Sequence, residues 1–173
     1  LIGAYYGFGG INDGVAGGEL MGGDFTLIPT LLSRRNNQEV SWDDVNGAQY
    51  SNFMDKSILA TNDRVQANWR RAYEVINMAN NILANIDNVS DANAKNKIQG
   101  EALAMRGILY FEMIRFWGNQ YDGLNLDEEA IPMRIEPITE VNQIKTPELA
   151  TIGEVYARSE EDLTNASILL ERF

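Results

Sequence analysis

The segment SRRNNQEVSWDDVNGAQY, residues 33–50, sets one tryptophan, Trp42, among Arg34, Asp43 and Asn46, with Arg35 and Asp44 beside them. An indole face next to guanidinium, carboxylate and amide groups is the mixture a sugar site requires: stacking supplies affinity and hydrogen bonds supply orientation. Trp42, Asp43, Asn46 and Arg34 are therefore the candidate ligand-binding residues. The alternative for Trp42 is that it pins a long polar loop to neighbouring helices.

A second charged group raises a different question. In GEALAMRGILYFEMIRFWG, residues 100–118, Glu101, Glu112 and Arg115 project to one narrow stripe of a helix, whereas Arg106 points to the opposite, apolar side. It is either a ligand group in a groove or a structural charge carried inward. A buried charge without a partner costs several kcal/mol, so the structural reading requires a carboxylate or carbonyl beside it. Asp24 and Asp162 are the candidate partners.

Much other chemistry is excluded by composition. The chain has no cysteine and no histidine, which removes thiol nucleophiles, imidazole bases, the Ser-His-Asp triad and the usual zinc sites. The acidic run YDGLNLDEE, residues 121–129, lacks the alternation and glycine placement of an EF-hand and reads as a solvated turn. The GGD at Gly22–Asp24 is not followed by the lysine of a phosphate loop. Hydrolysis by two carboxylates needs only a suitably spaced pair, and among 25 acidic residues nothing selects one. The expectation is no catalytic residue, no metal and no cofactor. With a formal net charge of -11, the chain repels phosphate backbones and anionic membrane surfaces, so nucleic acid is not an expected partner. No apolar run approaches the ~20 residues needed to span a bilayer.

The elements that position these groups are helices. From Arg64 to Ile86, the residues Val65, Trp69, Ala72, Ile76, Ala79, Leu83 and Ile86 recur in steps of four and three, with Val75, Met78 and Ile82 as a second stripe alongside. Asn62 or Asp63 can cap this helix. A helix over 92–117 follows, capped by Asp91, with Ile98, Ala102, Met105, Leu109, Met113 and Phe116 on one flank and Ala104, Ile108, Phe111 and Ile114 on another. The short link NVSDA suits an antiparallel hairpin of the two. Thr151 and Glu154 have capping-box spacing for a further helix whose seam runs from Ile152 to Phe173. The glycine-rich first thirty residues read as two short helices, about 1–8 and 17–31. The segments 33–61 and 118–150 read as long loops, the second with extended chain at AIPM, and no strand pattern supports a substantial sheet.

Trp69 and Tyr73 are either a sugar-stacking platform or core aromatics on a seam, and the seam favours the core. Asn77, Asn80 and Asn81 either bind ligand or tie neighbouring backbone. The fold class expected is all-α: antiparallel helical hairpins in an array with long irregular loops, forming one helical domain over residues 1–173. Small residues beside large ones on paired helices, Gly107 with Phe111 and Ile114, and Ala72 with Trp69 and Tyr73, match tetratricopeptide-like packing.

In order, GELMGGDF, WRRAYEVINMANNIL, GEALAMRGILYFEMIRFWG and IGEVYARSEEDLTNASILLE resemble the N-terminal part of the SusD/RagB family. The resemblance implies a non-catalytic, cell-surface subunit that binds glycans or other nutrients, lipid-anchored to the outer membrane, and acts as a lid on a SusC-like TonB-dependent transporter. Family members are considerably longer, so it also implies that this is the N-terminal fragment of a longer protein. The leader and lipidated cysteine would then lie outside the chain, and the membrane would be met only through that anchor. Two other functions fit the residues, a tetratricopeptide-like scaffold for a peptide or protein and a helical glycoside hydrolase.

Overall fold

Asp91 accepts a hydrogen bond from the Ala94 amide at 2.7 Å, and from that cap helix α5 runs over Ala92–Trp117. The residues described in this computed structural model are 1–9, 11, 12, 15, 16, 18–33, 49–144 and 148–171. Their contacts divide the chain into two compact units, Tyr5–Tyr73 on one hand and Leu1–Ala4 with Glu74–Phe173 on the other.

In the unit of residues 5–73, a pair of two-residue antiparallel strands, β1 (Ile11–Asn12) and β2 (Val15–Ala16), follows α1 (Ile2–Phe8). The expected second helix starts later than residue 17. A 3₁₀ turn at Leu20–Gly22 precedes it, and α2 spans Asp24–Leu32. Gly18, at φ 82, and Leu20, at φ 51, both take left-handed backbone there, so the α-helix begins only at Asp24. Leu20, Ile28, Leu31 and Phe53 are buried, the last on the single turn α3 (Ser51–Met54).

Helix α4 covers Asp63–Ala84 and contributes its first part to this unit and the rest to the other. Its cap is Asn62, whose Oδ1 accepts from the Arg64 and Val65 amides at 2.9 and 3.2 Å. The buried stripe is narrower than the sequence seam. Ala72, Val75, Ile76 and Ala79 are buried, Trp69 and Leu83 are half-buried, and Met78 is exposed. Of the second stripe, Val75 is buried, Ile82 half-buried and Met78 exposed, and Asn68 and Asn80 are buried as well.

In the unit of residues 74–173, α6 (Ile152–Leu170) packs antiparallel on α5, with Gly100 facing Leu170 and Gly107 facing Leu163 and Ser159. A Cβ at Gly107 would lie 2.9 Å from Leu163 Cγ and 3.1 Å from the Ser159 carbonyl, so only glycine permits this approach. Ser159 returns a hydrogen bond to the Gly107 carbonyl at 2.8 Å. The outer flank of α5 also differs from the sequence reading. Leu103, Arg106, Gly107 and Tyr110 are buried, whereas Ala104 and Ile108 are half-buried and Phe111 is exposed. The helix is apolar nearly all round, so periodicity alone could not select the face that α6 covers.

Thr151 has two roles. It pairs with Glu129 in the small antiparallel sheet of β3 (Glu129–Pro132) and β4 (Leu149–Thr151), and its hydroxyl caps α6 by accepting from the Glu154 amide at 3.2 Å. The Ile152 and Gly153 amides donate to the carbonyls of Glu128 and Leu126, so the start of α6 is satisfied by the protein itself.

Candidate functional site

Trp42, Asp43, Asn46 and Arg34 lie outside the described residues, as do Arg35 and Asp44. What can be built is the frame from which their segment leaves and to which it returns. It leaves α2 at Ser33, whose amide donates to the Pro29 carbonyl and whose hydroxyl donates to the Thr30 carbonyl at 2.9 Å each. It returns at Gln49, in left-handed backbone at φ 59. The Gln49 side chain accepts from the Asp63 amide at 3.1 Å, and its carbonyl accepts from Asn62 Nδ2 at 2.9 Å. The next residue, Tyr50, is buried and donates its hydroxyl to Asp24 Oδ1 at 2.6 Å.

Asp24 is the centre of this frame. Its Oδ2 also accepts from Arg64 Nε at 2.9 Å, from Arg64 NH2 and from Asn68 Nδ2. Arg64 lies over the Tyr50 ring, 5.2 Å from its centroid, and reaches Glu19 Oε1 at 3.4 Å. Asn68 Oδ1 in turn accepts from the Leu20 amide at 2.7 Å. Burial, reinforced by the hydrogen bond to the Asp24 carboxylate, pushes the Tyr50 phenol well above its ordinary range. Asp24 therefore holds α2, α4 and Tyr50 together, with both oxygens occupied inside the protein. It is not the partner of Arg106.

That partner is Asp162. Arg106 donates from Nε and NH2 to the two carboxylate oxygens at 2.7 and 2.8 Å, a bidentate pair in which the residues are 6% and 1% exposed. Its NH1 donates to Asn80 Oδ1 at 2.8 Å. Asn80 Nδ2 donates onward to the carbonyls of Arg134 and Glu136 at 3.1 and 3.2 Å. The Arg106 charge thus reaches, through one amide, the extended segment after β3.

The same segment is held at two further places. The Tyr110 hydroxyl exchanges hydrogen bonds of 2.6 Å with both the carbonyl and the amide of Arg134. Asn77 does likewise with Ile138, donating at 3.0 Å and accepting at 2.7 Å. Burial pushes the Tyr110 phenol up to about 12. Asn77 and Asn80 therefore tie backbone, while Asn81 donates back to the Asn77 carbonyl one turn earlier at 2.8 Å.

The remaining sequence candidates fall into place locally. Trp69 and Tyr73 meet edge to face at 5.0 Å, each half-buried. The Asp122 carboxylate accepts from the Leu124 and Asn125 amides at 2.8 and 3.0 Å, closing its own turn. Glu112, on the stripe expected to face solvent, is half-buried; burial raises its pKa while Arg115, donating at 2.9 and 3.0 Å, opposes the rise. The sequence reading missed Gln49, Tyr50 and Arg64 as members of the Asp24 frame. The available signal was Arg64 at the start of a helix, a poor place for a cation unless a carboxylate meets it.

These features define a class: a mostly helical packing frame whose buried charges serve structure, with Ser33 and Gln49, the described residues on either side of 34–48, both hydrogen-bonded. A SusD-like family, described as starch-binding and associating with the outer membrane, matches residues 16–172. The chain belongs to this SusD-like family.

Solved structures agree with that membership. A SusD superfamily protein from Bacteroides thetaiotaomicron is 26% identical at a TM-score of 0.65, over 76% of this chain and 28% of its own. A putative sugar binding protein from Bacteroides vulgatus is 28% identical at a TM-score of 0.63, over 73% and 28%. A SusD-like carbohydrate binding protein from the same organism shares the fold at a TM-score of 0.68 and 22% identity, over 96% and 34%. The chain therefore spans about a third or less of these proteins. No curated protein matches.

Proposed function

We propose that this chain is the helical part of a non-catalytic, carbohydrate-binding subunit at the outer membrane that delivers its ligand to a SusC-like TonB-dependent transporter. The observation that carries the reading is the SusD-like family match over residues 16–172, whose description is starch-binding and outer-membrane associating. The similarity to a putative sugar binding protein at 28% identity supports it. In this reading the full-length protein is lipid-anchored at the cell surface, and this chain forms one helical domain of it.

Ligand contact is assigned to the segment after Ser33, with Trp42 stacking on a sugar face and Asp43, Asn46 and Arg34 hydrogen-bonding its hydroxyls. The frame of Asp24, Arg64, Tyr50 and Gln49 holds the return of that segment, which limits the ordering entropy lost on binding. The buried carboxylates Asp24 and Asp162 are each bound by an arginine, so neither offers the general acid of a glycosidase.

The test is affinity electrophoresis and calorimetry of the intact protein with maltooligosaccharides and starch. Binding without release of reducing sugar, weakened by Trp42→Ala, is expected. Absence of binding to any neutral glycan, or release of sugar by the purified protein, overturns the reading. Co-purification with a TonB-dependent barrel when both are expressed tests the partner, and its absence rejects that part.

A further inference from the structure

Beside the α5–α6 contact, aromatic side chains from three parts of the chain meet at the surface. Phe111 comes from α5, Tyr156 from α6 and Tyr121 from the segment between α5 and β3. Tyr156 lies between the other two, with ring centroids 5.0 Å from Tyr121 and 6.2 Å from Phe111, edge to face in both pairs. The Arg115 guanidinium stands 5.3 Å over the Phe111 ring and steadies it. Phe111 and Tyr121 nevertheless remain 39% and 52% exposed. They border a recess of about 440 Å³ whose wall continues along α6 through Glu160, Leu163 and Thr164.

We infer that this recess is a second saccharide subsite, in which one neutral pyranose stacks on the Tyr121–Tyr156–Phe111 wall and hydrogen-bonds Glu160 and Thr164. The inference rests on the carbohydrate-binding reading but uses none of the residues assigned there. Three features specify the ligand. The recess falls within the size range of small-molecule sites, and its floor is aromatic with polar groups on one side. Tyr156, Glu160 and Thr164 recur at intervals of four on one ridge of α6, with Cβ atoms about 5–6 Å apart, which puts a carboxylate acceptor and a hydroxyl side by side next to the rings. The third is charge: Glu160 at the rim and a net charge of -11 disfavour phosphorylated or carboxylated ligands. Ser159, which also borders the recess, is committed to the Gly107 carbonyl and takes no part.

The experiment is saturation-transfer NMR and calorimetry on the intact protein with malto-, cello- and laminarioligosaccharides. Wild type is compared with Tyr121→Ala, Phe111→Ala, Glu160→Gln and Trp42→Ala. Tyr121 and Glu160 lie on exposed surface, and circular dichroism verifies that each variant is folded. The expected result is a loss of affinity of about tenfold in Tyr121→Ala and a smaller loss in Glu160→Gln, with part of the ligand signal surviving in Trp42→Ala. If Trp42→Ala abolishes binding and neither aromatic variant alters it, the subsite is overturned and the carbohydrate-binding reading stands. If wild type binds no saccharide, both fall. Binding of a peptide but no sugar that depends on Tyr121 also overturns the assignment.

Discussion

Replacing Asp162 with asparagine preserves its shape and deletes its charge, which makes it a direct test of what Arg106 does. The amide can accept one of the two guanidinium hydrogen bonds, now at 2.7 and 2.8 Å, but its NH₂ must then face the other N–H donor. Arg106 keeps Asn80 at 2.8 Å and a longer contact with the Ile135 carbonyl at 3.4 Å. Arg158, whose NH1 lies 3.8 Å from Asp162, loses that weaker contact but keeps Glu161 at 3.1 Å, so the cost falls mainly on Arg106. Leaving one member of a buried pair behind costs about 3–5 kcal/mol. With a urea slope of roughly 2 kcal/mol/M, the unfolding midpoint of Asp162→Asn should fall by about 1.5–2.5 M. Replacing both partners, Arg106→Met with Asp162→Leu, should return the midpoint to within roughly 0.5 M of wild type or above it. Hydrogen exchange supplies a second readout, because Arg106 reaches the segment after β3 through Asn80. The amides of Arg134 and Ile138 should exchange faster in Asp162→Asn. A loss below about 1 kcal/mol, with those amides unchanged, would mean that Arg106 is hydrated in solution and would refute the reasoning.

Other outcomes follow from the same packing. Gly107→Ala must displace Leu163 and the Ser159 carbonyl, so despite a helix-propensity gain of about 1 kcal/mol it should destabilise, by roughly 1–2 kcal/mol in urea melts. Gly100→Ala would place its Cβ 2.7 Å from Leu170 Cγ and 3.2 Å from Leu169 Cβ, but those residues lie in the last turn of α6, so a smaller loss than for Gly107→Ala is expected in the same assay. Asp24→Ala removes the acceptor of four hydrogen bonds, and a loss of about 3–5 kcal/mol is expected, with weaker saccharide binding as the Trp42 segment loses its anchor. In alkaline solution the sign follows from the raised phenols of Tyr50 and Tyr110. Between pH 10 and 12 the unfolded tyrosines ionise and the folded ones do not, so the unfolded state binds fewer protons and stability falls as pH rises. Tyr110→Phe should flatten that decline by up to about 1.4 kcal/mol per pH unit, measured by thermal melts across the range.

The parts of this fold legible in the sequence are those whose signal is local. Asn62, Asp91 and Thr151 with Glu154 mark the starts of three long helices because a cap is satisfied within three residues of itself. The inward direction of Arg106 was also readable, since a cation on an apolar face breaks the period. Its partner was not, because Asp24 and Asp162 are equivalent until α6 is laid on α5, an approach that Gly100 and Gly107 permit. The exposure of Phe111 was not readable for a related reason: on a helix apolar on most sides, hydrophobicity does not say which side a neighbour covers. Tyr121 and Tyr156 meet Phe111 only through the fold, 35 residues separating the two tyrosines in sequence. The role of Trp42 lies in residues outside those described.

Asn77 and Asn80 stand one turn apart on α4, about 4.5 Å along its axis, yet they grip backbone groups of residues 134, 136 and 138. An extended chain advances roughly 3.3 Å per residue, so the helix works as a gauge against which the length of this interval is set. One residue added or deleted between 134 and 138 would place one asparagine opposite the wrong peptide group and strand the amides that Arg106 relies on. The bonds to residues 134, 136 and 138 are made to backbone, so what they fix is the count of residues, and a chain that keeps both asparagines must keep that count.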